Sequence, residues 1–398
     1  MSSWRKTSGN MPLHHSNTIT LGGNALSGSM ICTRCILDDS VADIRFDEHG
    51  VCNYCTAHIS KKHSVLKNES QLNALLKKLK PAGSKNHCIV GVSGGLDSSF
   101  LLYKAVTLGL NPIAVHVDTG WNTETSVYNI ETLTRKLNVK LETLVLNWEQ
   151  FSDLQLAYLK AGVIDMEFPT DHYYLAALYK MASKLGVRYI LTGNNYTSEG
   201  IMPDCWIHNK GDTTNMLDIY KKFGSGRSLN RLPTMTLWKK FYYYNLLRIE
   251  NVFLLNYFDY DREQAKATLI KNLGWREHPV KHGETIYTRF YQRYILPVKF
   301  KVDIRRAHLS ALICNGQLTR QEALDIIENQ NAPAETACLD KMFVLKKLGI
   351  SDEVFVGLMN APTRQHSEFR SDSKIKAVYN KLVKTYGFGW LLKISNRT

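Results

Sequence analysis

Apolar runs of strand length alternate along the middle of the chain with stretches of helical spacing. Cys88 to Val92 is a short, wholly apolar run, and Ser98-Ser-Phe-Leu-Leu102 opens an apolar helix. Pro112 to Val117 predicts a second strand ending at Asp118, residues 123–138 a helix, and Leu141 to Leu146 a third strand. Residues 149–161 and 171–185 have helical spacing, and Arg188 to Leu191 is a fourth strand running into Thr192-Gly193-Asn194-Asn195. Strands alternating with helices predict a doubly wound parallel sheet with helices on both faces, hence an α/β fold. Ligands of such sheets sit at the carboxyl ends of the strands, where the strand order reverses. Ser93, Asp118, Thr192 and Gly193 all fall on that edge.

Outside this stretch the pattern changes. Residues 1–29 are rich in Ser, Gly, Asn and Thr without an apolar core, which predicts a flexible tail and makes Met30 a candidate natural start. Glu69 to Leu79 predicts a polar amphipathic helix, followed by a loop at Pro81-Ala-Gly-Ser84. Residues 199–240 have weak periodicity and read as an insertion, and 236–258 are aromatic with mixed helical spacing, suited to packing. Tyr260 to Leu273 predicts a helix stopped by Gly274, and 281–300 are dense in charged and aromatic groups. Helices are predicted over 303–314, from the capping box Thr319-Arg-Gln-Glu322 to Asn329, and over 335–348, 351–359 and 372–386. The expected domains are a tail (1–29), a metal ribbon (30–60), the α/β domain (61–198), a substrate-binding insertion (199–300) and a helical C-terminal region (301–398).

Composition narrows the class. No apolar run reaches membrane-spanning length; Phe241 to Tyr260 comes nearest, and Arg248, Glu250 and Asp259 interrupt it. A formal net charge of +14 predicts attraction to anions. Lys and Arg are scattered rather than gathered in an arm, so nucleotide-type ligands rank first and polynucleotides second. Eight cysteines in a chain that reads as cytoplasmic point to metal or catalysis before disulfides. Cys32-Thr-Arg-Cys35 and Cys52-Asn-Tyr-Cys55 are two knuckles 16 residues apart, the spacing of a four-cysteine Zn2+ ribbon, with Asp47-Glu-His-Gly50 as the turn between them. Such a site contributes about 10–16 kcal/mol to folding.

The first strand, the turn Ser93-Gly94-Gly95 and the helix opening at Ser98 aim backbone N–H groups at an anion. The glycines lack a Cβ, so a phosphate can approach the main chain, and Ser93 and Ser98 add hydroxyls. There is no Gly-Lys-Ser/Thr, which excludes the P-loop of kinases and GTPases. Asp97 is a candidate for Mg2+ or loop orientation, or equally for capping the helix. Asp118 is a candidate for ribose or Mg2+, or a turn residue. Gly193 would line a nucleotide site, and Asn194 and Asn195 can bond an amide or sugar hydroxyls, although Asn-Asn after glycine is also a common turn. Trp121 fits a core position better than a base-stacking one.

Ser93-Gly-Gly-Leu-Asp-Ser98 after a strand closely resembles the pyrophosphate-binding loop of the PP-loop ATP pyrophosphatases, within the adenine nucleotide alpha hydrolase-like fold. From Met30 on, the chain resembles the N-acetyl sugar amidotransferases of the WbpG and PseA type. The resemblance rests on Ile31–Ser40 with Phe46–Cys55, on Gly91–Ser98, on Leu191–Asn195, and on Lys281-His-Gly-Glu284, Thr288–Gln292, Leu296–Phe300 and Arg305–Ser310. It implies an ATP-dependent enzyme of lipopolysaccharide O-antigen biosynthesis. Such an enzyme turns an acetamido group of a nucleotide sugar into an acetamidino group through an adenylated intermediate. It implies NH3 from a separate HisH-like glutaminase with a HisF-like channelling subunit. The residues suit that chemistry: transfer of AMP to a poorly reactive amide oxygen creates a leaving group that NH3 can displace. Lys281, Arg289, Arg293, Lys299, Arg305 and Arg306 are candidates for substrate phosphates, or surface charges. His282 and Glu284 are candidates for proton transfer, or a salt-bridged loop. Asp171 and His172 are substrate candidates, or parts of a capped helix start. Cys88, Cys205, Cys314 and Cys338 lack the setting of a glutaminase nucleophile. The competing enzyme class is a PP-loop tRNA thiolase, which would need those extra cysteines for sulfur chemistry; a zinc-ribbon scaffold that merely binds nucleotide is the non-enzymatic alternative.

Overall fold

The structure is a computed structural model and describes residues 30–373 except 81, 82, 84, 279, 282 and 330–333. The tail at 1–29, most of the loop at 81–84, His282 and most of the helix expected over 372–386 lie outside the described residues.

The sheet is five-stranded and parallel throughout, in the order β3-β2-β1-β4-β5. Its strands are β1 (Cys88–Gly91), β2 (Pro112–Asp118), β3 (Lys140–Val145), β4 (Tyr189–Leu191) and β5 (Glu250–Val252). β1 is buried at every position because it is the central strand, with helices on both faces. Gly91 is required there: a Cβ would fall 2.1 Å from the hydroxyl of Tyr174. β3 is an edge strand and carries the exposed pair Lys140–Glu142 (2.7 Å), a charge that discourages further strand pairing. β5 was not expected. Its three half-buried residues inside an aromatic run are too few to show a period of two.

The helices up to the end of the sheet are α1 (Asn53–Val65), α2 (Glu69–Leu79), α3 (Leu96–Thr107), α4 (Glu124–Lys136), α5 (Trp148–Ala161), α6 (Phe168–Leu185), α7 (Tyr196–Glu199), α8 (Thr213–Phe223) and α9 (Leu237–Phe241). Then come α10 (Arg262–Leu273), α11 (Ile286–Phe290), α12 (Arg305–Cys314), α13 (Arg320–Asn329), α14 (Ala334–Leu348) and α15 (Asp352–Asn360). α10 stops at Gly274, whose φ of 62° is open to glycine without strain. The capping box at Thr319 and Glu322 forms as expected. α1 was not expected. It lacks an apolar stripe and is nucleated from the cysteine knuckle, the Cys52 thiol accepting from the Cys55 amide.

One apolar core on one sheet face joins β1 to α2, α3, α4 and α10, and another joins β1, β2 and β4 to α6 and the segment around Tyr244. The third and largest runs from the four cysteines through α5 and α6 to residues 287–369. Ribbon, sheet and C-terminal helices therefore share apolar packing. No described helix is long and apolar enough to cross a membrane.

Candidate active site

β1 and β4 are neighbours, while the chain leaves β1 toward β2 on the opposite side. This is the switch point, and the loops after β1 and β4 meet there. Gly193 lies so close that a Cβ would be 2.8 Å from the Ser98 amide nitrogen. Between these loops and the segment 284–308 lies a cavity of about 470 Å³, lined among others by Ser93, Asp97, Ser98, Gly193, Asn194 and Glu284. A second cavity of about 400 Å³ shares Asp97, Glu284 and His308 with it and adds Arg262, Lys281, Arg293 and Arg305.

The loop is held from outside the cavity. Gly94 takes φ +82°, and a Cβ there would fall 2.5 Å from the Ser126 carbonyl oxygen. The Gly94 carbonyl accepts from Asn129 Nδ2 (2.9 Å), Trp275 Nε1 (3.1 Å) and His278 Nε2 (3.2 Å). Inside the turn, the Ser98 hydroxyl accepts from the Ser93 amide at 3.2 Å and lies 3.1 Å from the Ser93 hydroxyl. No side chain caps α3, which leaves its N-terminal dipole for an anion. Asp97 is therefore not a cap. Its carboxylate accepts from Tyr260 and lies 3.8 Å from Arg262.

Charge is concentrated beside this loop. A Cβ on Gly95 would land 1.6 Å from Glu284 Oε1, so that carboxyl rests against the turn. Burial, with Asp97 adding to it, pushes the Glu284 carboxyl up to about 7. Glu199 is likewise raised by burial and Asp97, while burial lowers the Lys281 ammonium even with Glu199 at 3.8 Å. Asp97, Glu199 and Glu284 present the hard oxygen donors that Mg2+ takes. Glu199, Tyr260 and Arg262 were missed from sequence. The available signal for Glu199 was its place at the end of the short helix that follows the β4 loop.

Several expected contacts are used elsewhere. The Asp118 carboxylate accepts from the Gly120 amide (2.7 Å) and Asn122 Nδ2 (2.9 Å), so it shapes the turn after β2. Asn195 caps α7, accepting from the Ser198 amide at 2.9 Å, whereas Asn194 stays in the cavity wall. His172 is wholly buried, donating from Nδ1 to the Lys210 carbonyl (2.7 Å) and accepting the Met235 amide at Nε2 (3.3 Å). Burial lowers it to about 4, so it is a neutral structural histidine. Asp171 faces the cavity and pairs with Lys210 at 2.9 Å. Arg289 is locked to Asp340 by bonds of 2.7 and 2.6 Å. Arg306 donates to the Ile36 carbonyl (2.8 Å) and pairs with Asp38 (3.2 Å), tying α12 to the cysteine ribbon. Lys299 donates to the carbonyls of Leu358, Met359 and Ala361 at the end of α15. Arg305 chelates Asp303 while lining the second cavity with Arg293 and Lys281. Trp121 is a core residue, donating to Gln155 at 2.8 Å.

The sulfurs of Cys32, Cys35, Cys52 and Cys55 lie within 4.8 Å of one another and are buried. The pairs Cys32–Cys55 and Cys35–Cys52 are 4.0 and 3.8 Å apart, near the ~3.8 Å edge of a tetrahedron built on Zn–S bonds of ~2.3 Å. Amides of Cys35, Cys52, Leu37 and Cys55 point at the sulfurs, as thiolate ligands require. These residues fit a structural Zn2+. Cys314 lies 3.5 Å from Cys55 and Cys205 bonds Asp43; no cysteine lines either cavity.

An uncharacterized protein of Methanocaldococcus jannaschii is 27% identical over 170 residues, 42% of this chain; the match spans 59% of that protein's length. An NH3-dependent NAD synthetase from Campylobacter jejuni superposes with a TM-score of 0.26 at 15% identity, over 36% of this chain and 58% of that one. An NMN synthetase from Francisella tularensis gives 0.34 at 13% identity, over 78% and 98%. The family model for the C-terminal domain of WbpG-like LPS biosynthesis proteins matches residues 284–383. That match begins at Glu284, the residue resting on the Ser-Gly-Gly loop, and makes the segment from Glu284 onward similar to the C-terminal domain of WbpG-like proteins.

Proposed function

We propose that the chain is an ATP-dependent amidotransferase that replaces the acetamido oxygen of a nucleotide-activated sugar with nitrogen. The observation that carries this reading is the contact between the Ser93–Ser98 loop and Glu284, the first residue of the WbpG-like segment. In the reading, the diphosphate that leaves ATP rests on the loop amides and the Ser93 and Ser98 hydroxyls. The acetamido oxygen attacks the α-phosphorus, and the Pα–O bond to the diphosphate breaks. NH3 then displaces AMP, leaving an acetamidino group. Lys281, Arg293 and Arg305 line the second cavity with Arg262 and Lys266, and in the reading this cationic lining receives further phosphates. With no cysteine at either cavity, NH3 comes from a separate glutaminase. Bacterial surface polysaccharide biosynthesis is the pathway that such a substrate implies.

The test is ATP–pyrophosphate exchange by the purified chain with UDP-N-acetyl sugars, against bulk tRNA as the thiolase substrate. It is followed by mass spectrometry of the sugar nucleotide with ammonium or glutamine as nitrogen source. The reading expects sugar-dependent exchange and a loss of about 1 Da as O becomes NH, with ammonium only. Release of ADP and orthophosphate, exchange driven by tRNA, or efficient glutamine use by the lone chain would sink it.

A further inference from the structure

A carboxyl outside the phosphate end of the cavity is built like a catalytic base. Glu167 lies just before α6, is 9% exposed and lines the same cavity as Asp97 and Glu284. Its Oε2 accepts from the Thr288 hydroxyl at 2.7 Å, and Thr288 accepts from the Thr285 hydroxyl at 2.6 Å. Its Oε1 is buried and has no hydrogen-bond partner. Thr170, on the first turn of α6, also leaves its hydroxyl unpartnered at this cavity. Thr288 sits on the first turn of α11, whose N-cap Thr285 directly follows Glu284, and Glu167, Thr288 and Glu284 all line this cavity. The free oxygen therefore belongs to the space that the sugar's reacting group would share with the departing phosphate.

The charges facing Glu167 come from every side. Asp165 and Asp171 clasp the Lys210 ammonium at 2.7 and 2.9 Å, and Tyr287 and Tyr291 face Glu167 from α11 and the helical segment that continues it. Two carboxylates and one ammonium leave one net negative charge beside it. We infer that Glu167 is the general base of nitrogen transfer, its Oε1 taking the proton that incoming NH3 must lose. This rests on the proposed function. The adenylylated acetamido group is cationic and draws Glu167 into its ionised form, with its proton going to solvent. The NH3 lone pair forms the C–N bond, the C–O bond to AMP breaks with its electron pair leaving on the phosphate, and one proton passes from the new nitrogen to Oε1. The amidinium product keeps the positive charge, facing the net negative charge of Asp165, Asp171 and Lys210. Burial, with Asp171 adding to it and Thr288 opposing, raises the carboxyl to about 8, suited to a proton acceptor near neutral pH.

The test separates the two half-reactions at a fixed concentration of unprotonated NH3. Glu167→Gln should keep sugar-dependent ATP–pyrophosphate exchange within about threefold and slow amidine formation ~10²–10⁴-fold. Wild-type amidine formation should rise with pH, a limb absent in Glu167→Gln and displaced to higher pH in Thr288→Val, which loses the bond that favours the ionised carboxylate. Unchanged amidine formation in Glu167→Gln, or loss of exchange and amidine formation in parallel, would overturn the assignment. Absence of exchange in the wild type would instead bring down the functional reading, and the base with it.

Discussion

Gly94 and Gly95 are adjacent, yet alanine at each should act in a different way. At Gly94 an alanine would hold φ near +82°, at a cost of about 1–2 kcal/mol for an L-residue. Its Cβ would meet the Ser126 backbone at 2.5 Å, and a main chain in the capped first turn of α4 does not step aside freely. Relief requires the loop to move, which strains the bonds from Asn129, Trp275 and His278 to the Gly94 carbonyl, each worth about 1 kcal/mol. The sum is about 2–4 kcal/mol, or roughly 2–5 °C in Tm for a protein of this size. At Gly95 the backbone is extended, φ −75° and ψ 173°, which alanine accepts. The clash there is with Glu284 Oε1, the end of a flexible side chain that can swing away. Loss of unfolded-state freedom offsets any cost by about 0.4–1 kcal/mol. Gly95→Ala should therefore melt within about 1 °C of wild type while losing ATP–pyrophosphate exchange, because Glu284 has left the loop. Thermal melts and exchange rates of the two variants decide the matter. A Gly94→Ala protein as stable as wild type, or a Gly95→Ala protein with full exchange, would refute the reasoning.

Other outcomes follow from the same geometry. Glu167 and Glu284 are raised on folding from the ordinary 4.5 to about 8 and about 7, so the folded state holds more protons between those values. Their contribution to stability is full below about pH 4.5 and is lost as pH rises through 7–8; denaturant titrations should show that slope, flattened in Glu167→Gln and Glu284→Gln. Cys35→Ser should abolish Zn2+ binding, read by metal analysis, and lower Tm sharply, whereas the exposed Cys338→Ser should be silent in both. Arg289→Ala leaves Asp340 buried without its partner and should cost about 3–5 kcal/mol in denaturant unfolding, with activity per folded molecule retained.

What the sequence determined on its own is whatever depends on short spacing. The alternation of apolar runs places β1, β2 and β4, since burial on both faces leaves a continuous apolar stretch, while the edge strand β3 shows as an alternating one. The paired knuckles name the four sulfurs, and Ser-Gly-Gly-x-Asp-Ser marks the loop, because each motif closes within a few residues. Tertiary structure decided which charges serve the site. Arg289, Arg306 and Lys299 read as phosphate ligands in the chain, but Asp340, Asp38 and the end of α15 take them, and spacing cannot reveal partners so far away. In the other direction, packing delivers Glu167, Glu199, Lys210 and Arg262 to the two cavities, and the Tyr260 hydroxyl to Asp97, from segments without a motif. Burial and neighbouring charge, which only the folded chain supplies, then make Glu167 and Glu284 unlike the other carboxylates of the sequence.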